Sequence, residues 1–303
     1  MNIGLLLWLF ILTCGEPGLT TVLSDSHYEN AYPYWSPDEK KIVFQSNMKG
    51  NRDIFVMNAD GSSITQLTTS NGMDMMPAWS PDGTRIAFVT NRDERSKVQD
   101  LEGNTEVYIM NADGSDQRNI SNHPGRDIHP NWSPDSRYLI FNSTRANTAR
   151  VMKHEFEDFD LYEADVVTGS IRRITNNLLT DTYASFSPDG KKIASRRVID
   201  QENSEVFVMN RDGSNGINIT SNDAFDAWPA WSPDGKYLLF SSDRSGSINL
   251  YRMKPDGTEV TNLTNNAFYN SRANWSRDGS KIVFNIQRND MFGIYWMKSN
   301  AQN

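Results

Sequence analysis

Apolar positions fall in short blocks of three or four along the whole chain, and polar turn residues separate them. One set of blocks reads Ile42-Val43-Phe44, Ile86-Ala87-Phe88, Leu139-Ile140-Phe141, Leu238-Leu239-Phe240 and Ile282-Val283-Phe284. A second set reads Ile54 to Met57, Val107 to Met110, Val206 to Met209, Leu250 to Met253 and Ile294 to Met297. The blocks are β-branched and aromatic, and Asp-Gly or Pro-Asp-Gly stands between many of them, as expected for strands joined by tight turns. No stretch keeps a helical period with caps at its ends.

The blocks belong to a repeat. Trp-Ser-Pro-Asp or a close variant begins at Trp35, Trp79, Trp132, Phe186, Trp231 and Trp275, at intervals of 44, 53, 54, 45 and 44 residues. Behind each copy come a turn, an apolar segment, a polar loop, a second apolar segment and a further segment ending in Leu-Thr or a relative such as Ile120-Ser121. An Asp-Gly turn precedes that last segment at Asp60-Gly61, Asp113-Gly114, Asp212-Gly213 and Asp256-Gly257. Four short antiparallel strands per unit of this length predict one propeller blade, and the copies predict an all-β, six-bladed propeller over residues 20–303. The sixth unit lacks its last strand. Leu23-Ser24 precedes Trp35 by the spacing at which Leu67-Thr68 precedes Trp79, so Thr20 to Ser24 is expected to complete the sixth blade and close the ring. The repeat tryptophans and the methionines of the third strands read as core between blades.

The sequence Trp-Ser-Pro-Asp-Gly, then Ile-x-Phe, then Ile-Tyr-x-Met-Asn-x-Asp-Gly, then Leu-Thr resembles the repeat of the TolB-type propellers, and the resemblance runs from Thr20 to Lys298. It implies an extracytoplasmic propeller that binds protein through one face, in a family that serves the Tol-Pal envelope system. Members carry an α/β domain ahead of the propeller for contact with an inner-membrane partner. With only about 20 residues before the first strand, that domain is expected to be missing here. Related repeats also occur in peptidase-associated propellers and polysaccharide lyases, so the resemblance speaks more to fold than to activity.

Composition and the N-terminus sharpen location. Ile3 to Leu12 is nearly all apolar, short for a membrane span and of the right length for an export signal, although no Lys or Arg precedes it. Residues 1–19 therefore read as a signal segment plus linker. Thr13 and Gly15 permit cleavage, and Cys14, the only cysteine, stands where a lipid anchor would attach. Secretion into the periplasm or beyond it, with or without a lipid anchor, follows, and no transmembrane span is expected. The formal charge of −8 counts against nucleic acid as a partner. A monomer is expected.

Candidate functional residues come from positions that keep or break the repeat. Loops after the second strands and between blades share one face and vary in length, and the long ones are Asn91 to Asn104 and Asn142 to Asp158. The second of these carries Arg145, Arg150, Lys153, His154, Phe156 and an acidic run at Glu155, Glu157 and Asp158. Five residues before each repeat aromatic stand Asn30, Asp74, Asp127, Asp181, Asp226 and Asn270. Four residues after the second-strand Phe stand Arg92, Arg145, Arg244 and Arg288, the series being broken by Met48 and Ile199. Such regular rings of opposite charge predict structural ion pairs between blades. Three residues before each aromatic, by contrast, stand Tyr32, Met76, His129, Tyr183, Trp228 and Arg272. Large, varied and mostly aromatic, they are expected to line the channel mouth on the loop-rich face and to anchor a protein or peptide partner; the plainer alternative is that they plug the channel.

Catalytic motifs are wanting. There is no nucleophile elbow and no phosphate loop, and the histidines show no ligand spacing. No catalytic residue and no cofactor is assigned. His123, His129 and His154 are the candidate ligands if a divalent cation binds, which would suit a metal-assisted polysaccharide lyase or hydrolase. A carbohydrate- or cation-binding module without chemistry is the third reading.

Overall fold

The computed structural model describes residues 18–93, 104–146, 158–288 and 290–300. The apolar N-terminal segment with Cys14, most of both long loops and His154 lie outside these residues. The described residues form six four-stranded antiparallel sheets and no helix. Blade 1 consists of Asn30–Trp35, Lys41–Ser46, Asp53–Asn58 and Thr65–Gln66. Blades 2 to 5 repeat this order, starting at Asp74–Trp79, Asp127–Trp132, Thr180–Phe186 and Asp226–Trp231. Blade 6 takes Tyr269–Trp275, Lys281–Arg288 and Met291–Lys298 from the end of the chain, and its fourth strand is Leu19–Leu23. Leu19 pairs with Met297 and Thr21 with Tyr295, so the ring closes as the spacing predicts.

The repeated turn residues have local reasons. In each of the five Ser-Pro-Asp turns, and in Ser276-Arg277-Asp278 of blade 6, the Ser hydroxyl donates to the Asp carboxylate two residues on, at 2.5–2.7 Å. The carboxylate accepts the next free backbone amide, and the Ser oxygen accepts the amide that opens the second strand, as Lys41 N at 2.9 Å in blade 1. The Pro needs no donor and fixes φ, so three side chains close the turn that sets the register of the two inner strands.

The core of the described residues falls into seven clusters, each shared by neighbouring blades: six are built around a repeat aromatic, and a seventh joins Met75 and Val89 of blade 2 to Ile128 and Phe159 of blade 3. Trp132, for example, packs with Ala78, Ala87 and Ile109 of blade 2 and with Leu139, Phe141 and Tyr162 of its own blade. Its indole N–H reaches the carbonyl of Ala78 at 3.1 Å. The corresponding aromatic packs into a joint in each of the other five clusters, from Trp35 to Trp275, and the Trp275 N–H likewise reaches the preceding blade, at the Ala230 carbonyl. A blade has apolar side chains on both faces, and only its neighbours cover them.

The second Asp-Gly turn shows how tightly the joints fit. Gly61, Gly114, Gly213 and Gly257 all have positive φ. A Cβ on any of them would meet the carbonyl oxygen of Val22, Leu67, Ile174 or Ile219, at the end of the preceding blade, at 2.1–2.8 Å. Glycine is required there by conformation and by space together. Gly246 has positive φ but open surroundings. Gly246→Ala should therefore cost about 1 kcal/mol, from backbone strain alone. Gly213→Ala, with backbone 2.1 Å from the new methyl, should cost about 3 kcal/mol or more. Urea unfolding of the two variants separates the terms, and equal losses would show that the joint yields.

Candidate functional site

The innermost strand of each blade runs from the loop-rich face to the Ser-Pro-Asp turn. The acidic residue at its start is fully buried in blades 2 to 5 and is held by an arginine. Arg92, Arg145 and Arg244 meet Asp74, Asp127 and Asp226 at 2.8–2.9 Å. Each of these pairs lies within one blade, not between blades as the spacing suggests, because the arginine follows the strand that pairs with the innermost one. The guanidinium also lies over the second-strand Phe and the third-strand Tyr, Arg145 being 5.2 Å from Phe141 and 5.0 Å from Tyr162. In blade 4 the partner of Asp181 is Arg197, at 2.8 Å. It comes two positions before Ile199, from a second strand that runs on to Val198 and has Ser195 in place of Phe. Arg288 has Asn270 instead of an acid in its blade and rests on Phe268 at 4.2 Å. The acidic ring thus points into the blades.

A further set of repeated acids, not singled out by the sequence patterns, opens the third strands at Asp53, Glu106, Asp160 and Glu205, with Asn249 in blade 5. The hydroxyl that ends the Leu-Thr segment donates to this side chain, as Ser121 to Glu106 at 2.5 Å, while accepting the next amide, Val107 N, at 2.9 Å. That pair of hydrogen bonds, one donated and one accepted by the same hydroxyl, explains why the segment ends in Thr or Ser. Burial, with Asp74 nearby, pushes Asp53 up to about 6. Burial likewise raises Glu106 and Glu205.

Tyr32, Met76, His129, Tyr183, Trp228 and Arg272 share an unusual backbone. All six have φ between 52° and 56°, in the left-handed region. Each sits in a bulge: blade 1 pairs Ala31 with Gln45 and Tyr34 with Val43, so two residues oppose one. The freed amide is caught by the neighbouring blade where the side chain allows. Tyr32 N donates to Asn285 Oδ1 at 2.9 Å and Met76 N to Gln45 Oε1 at 2.9 Å. The Tyr183 amide is caught more loosely, by Asn142 Oδ1 at 3.3 Å. Gln45, Asn142 and Asn285 occupy one repeat position, directly after the second-strand Phe.

The side chains converge on the propeller axis. His129 lies 3.7 Å from Tyr183 between ring centroids, and Tyr183 meets Trp228 edge-on at 5.7 Å. The Arg272 guanidinium stands 4.1 Å from the Tyr32 ring and 5.3 Å from Trp228. Burial, reinforced by Arg272 and Arg126, holds His129 well below the usual histidine range, so the ring is neutral. Burial also raises the Tyr32 phenol. These residues and those that follow them, such as Pro33, Pro130 and Asn274, wall a cavity of ≈ 100 Å³. Its walls are the second halves of the innermost strands, so it lies towards the Ser-Pro-Asp turns. His123 is separate, its Nδ1 accepting from the Gly125 amide at 2.8 Å. Among the described residues no group of three or more His, Cys, Asp and Glu side chains is placed to hold a metal ion.

A repeating frame that presents non-repeating side chains at its axis defines a closed six-bladed propeller. The TolB beta propeller domain family matches residues 9–102 and 160–303, and the chain belongs to that family. The Tol-Pal system protein TolB of Francisella tularensis subsp. mediasiatica is 30% identical over 150 residues, which are 48% of this chain and 32% of that protein. The chain thus spans about a third of the length of the curated relatives it matches. The TolB structure from Acinetobacter baumannii superposes with a TM-score of 0.63 at 24% identity, covering 79% of this chain and 55% of that one. Oligogalacturonate lyase from Vibrio parahaemolyticus gives 0.61 at 14% identity, covering 92% and 93%. Both likenesses are of fold.

Two pH effects of opposite sign follow. Between 3.8 and about 6 the folded chain holds a proton on Asp53 that the unfolded chain does not, so wild type gains stability over Asp53→Asn as pH falls through that window. Below about 6.5 the unfolded chain protonates its histidine while His129 in the fold stays neutral, so wild type loses stability relative to His129→Gln. Thermal unfolding of the three proteins from pH 7 to 4 checks both signs.

Proposed function

We propose that this chain is a non-enzymatic, extracytoplasmic propeller of the TolB type that binds a protein or peptide at its axis. The observation that carries the reading is the set Tyr32, Met76, His129, Tyr183, Trp228 and Arg272. One strained backbone conformation is imposed at all six positions, yet the side chains differ at nearly every one. Aromatic rings and an arginine are the side chains that most often anchor protein interfaces. The cavity they wall, at ≈ 100 Å³, is well under the roughly 300–1,000 Å³ of small-molecule pockets. It suits one inserted side chain better than an oligosaccharide.

The apolar segment from Ile3 to Leu12 supports export to the periplasm. The Tol-Pal membership in the name of the Francisella relative supports a partner in the cell envelope. The lyase reading rests on fold alone and requires stoichiometric divalent cation, which elemental analysis of the purified protein would detect. Arg272→Ala and Tyr183→Ala should each weaken capture of an envelope partner from extract by roughly tenfold or more. Capture at wild-type strength by both variants, with thermal unfolding confirming the fold, would remove the axis from the binding site.

A further inference from the structure

The turn-rich face holds a second recess of ≈ 390 Å³ between blades 5 and 6, lined in part by Pro233, Tyr237, Arg252, Trp275, Arg277 and Ser299. The repeat itself shows how such a recess is filled. In the joint between blades 3 and 4 the corresponding residues are Tyr138, Glu163, Phe186 and Arg211. There Arg211 lies 4.4 Å from the Tyr138 ring and 5.2 Å from Phe186. Its Nε donates to Glu163 at 2.7 Å, and Arg172 donates to the other oxygen of the same carboxylate at 2.9 Å. That joint is a closed set of aromatic, guanidinium and carboxylate.

In the joint between blades 5 and 6 the carboxylate is missing. Arg252 takes the position of Glu163, and the filling arginine is replaced by Ser299. The Arg252 guanidinium still stands over an aromatic ring, Tyr237, at 4.6 Å. Its Nε is buried without a hydrogen-bond partner, and among the described residues no carboxylate pairs with it. The two acids at the rim are otherwise committed. Asp234 accepts from Ser232 and Lys236, and Asp278 from Ser276 and Ser280.

We infer that this recess binds a carboxylate of an acidic peptide segment, which completes on Arg252 the arrangement that Glu163 completes within the chain. The fork of a guanidinium matches a carboxylate with two parallel hydrogen bonds. A peptide carboxylate is favoured over an acidic sugar because the group that fills the corresponding joint is itself a side-chain carboxylate, Glu163. Tyr237 gives a face to Arg252, and the Trp275 N–H is spent on the carbonyl of Ala230 at 3.3 Å. The recess lies in a blade joint away from the axis, so this site stands or falls separately from the axial one.

The test is fluorescence anisotropy with a labelled peptide of alternating Glu and Gly, its Gln counterpart, and oligogalacturonate as an unlabelled competitor. The Glu peptide should bind wild type, and the Gln peptide roughly tenfold more weakly or worse. Arg252→Gln should weaken the Glu peptide by a similar factor, while Arg118→Gln, the same charge change on another blade, should not. Ser299→Glu places a carboxylate in the recess from within and should abolish binding while raising the melting temperature. Equal affinity for the two peptides, no effect of Arg252→Gln, or displacement by oligogalacturonate at lower concentration than by free Glu peptide would each overturn the inference.

Discussion

Each blade of this propeller has two apolar faces and can cover neither alone. That single constraint organises the rest of the molecule. The clusters of buried side chains are all joints between neighbours, and a repeat aromatic belongs to six of the seven. The joints are close enough that turn glycines touch the backbone of the preceding blade. Such packing tolerates little variation in spacing, and so the residues that fix spacing are the ones that repeat. The hydroxyl-to-carboxylate turns set strand register, and the arginines that cross second and third strands hold the buried acids within blades. Side chains that do not repeat are left to the axis and to the recess on the turn-rich face.

Most of the fold was legible because the constraint is periodic. A tryptophan, a Pro-Asp-Gly and a Leu-Thr recurring together report a strand pattern and its closure, down to the segment that completes blade 6. The candidate site was legible only as a list of positions. Tyr32, His129 and Trp228 stand out as breaks in the repeat, but nothing in a tyrosine or tryptophan announces a left-handed backbone, since glycine is the usual signal for it. The ion pairs were visible as two charge series, whereas their lying within a blade depends on which loop folds back over which strand. Arg197 escaped the pattern because its strand has lost the Phe that marks the register and because it precedes the expected position by two residues. The recess at Arg252 could not be read from any one unit. It becomes visible only when two joints are compared in space and one is found to lack what the other contains.

The axis and the recess differ in physical character. At the axis, rings and a guanidinium stack on each other, and the neutral histidine and raised phenol report a dry setting in which each polar contact counts for more. At the recess a cation has an aromatic support but no counter-charge. The first favours shape and the second favours charge, so salt screens the second more than the first.

The closing strand has a consequence in time as well as in shape. Blade 6 joins Leu19–Leu23 to Met291–Lys298, residues nearly the full length of the chain apart. Contacts of that separation form last, after the long intervening loop has lost its freedom through the other blades. During synthesis the early strand must wait, unpaired, for the late ones. The sixth joint is therefore the step that commits the ring, and until it forms the first and last blades each keep one apolar face open to solvent.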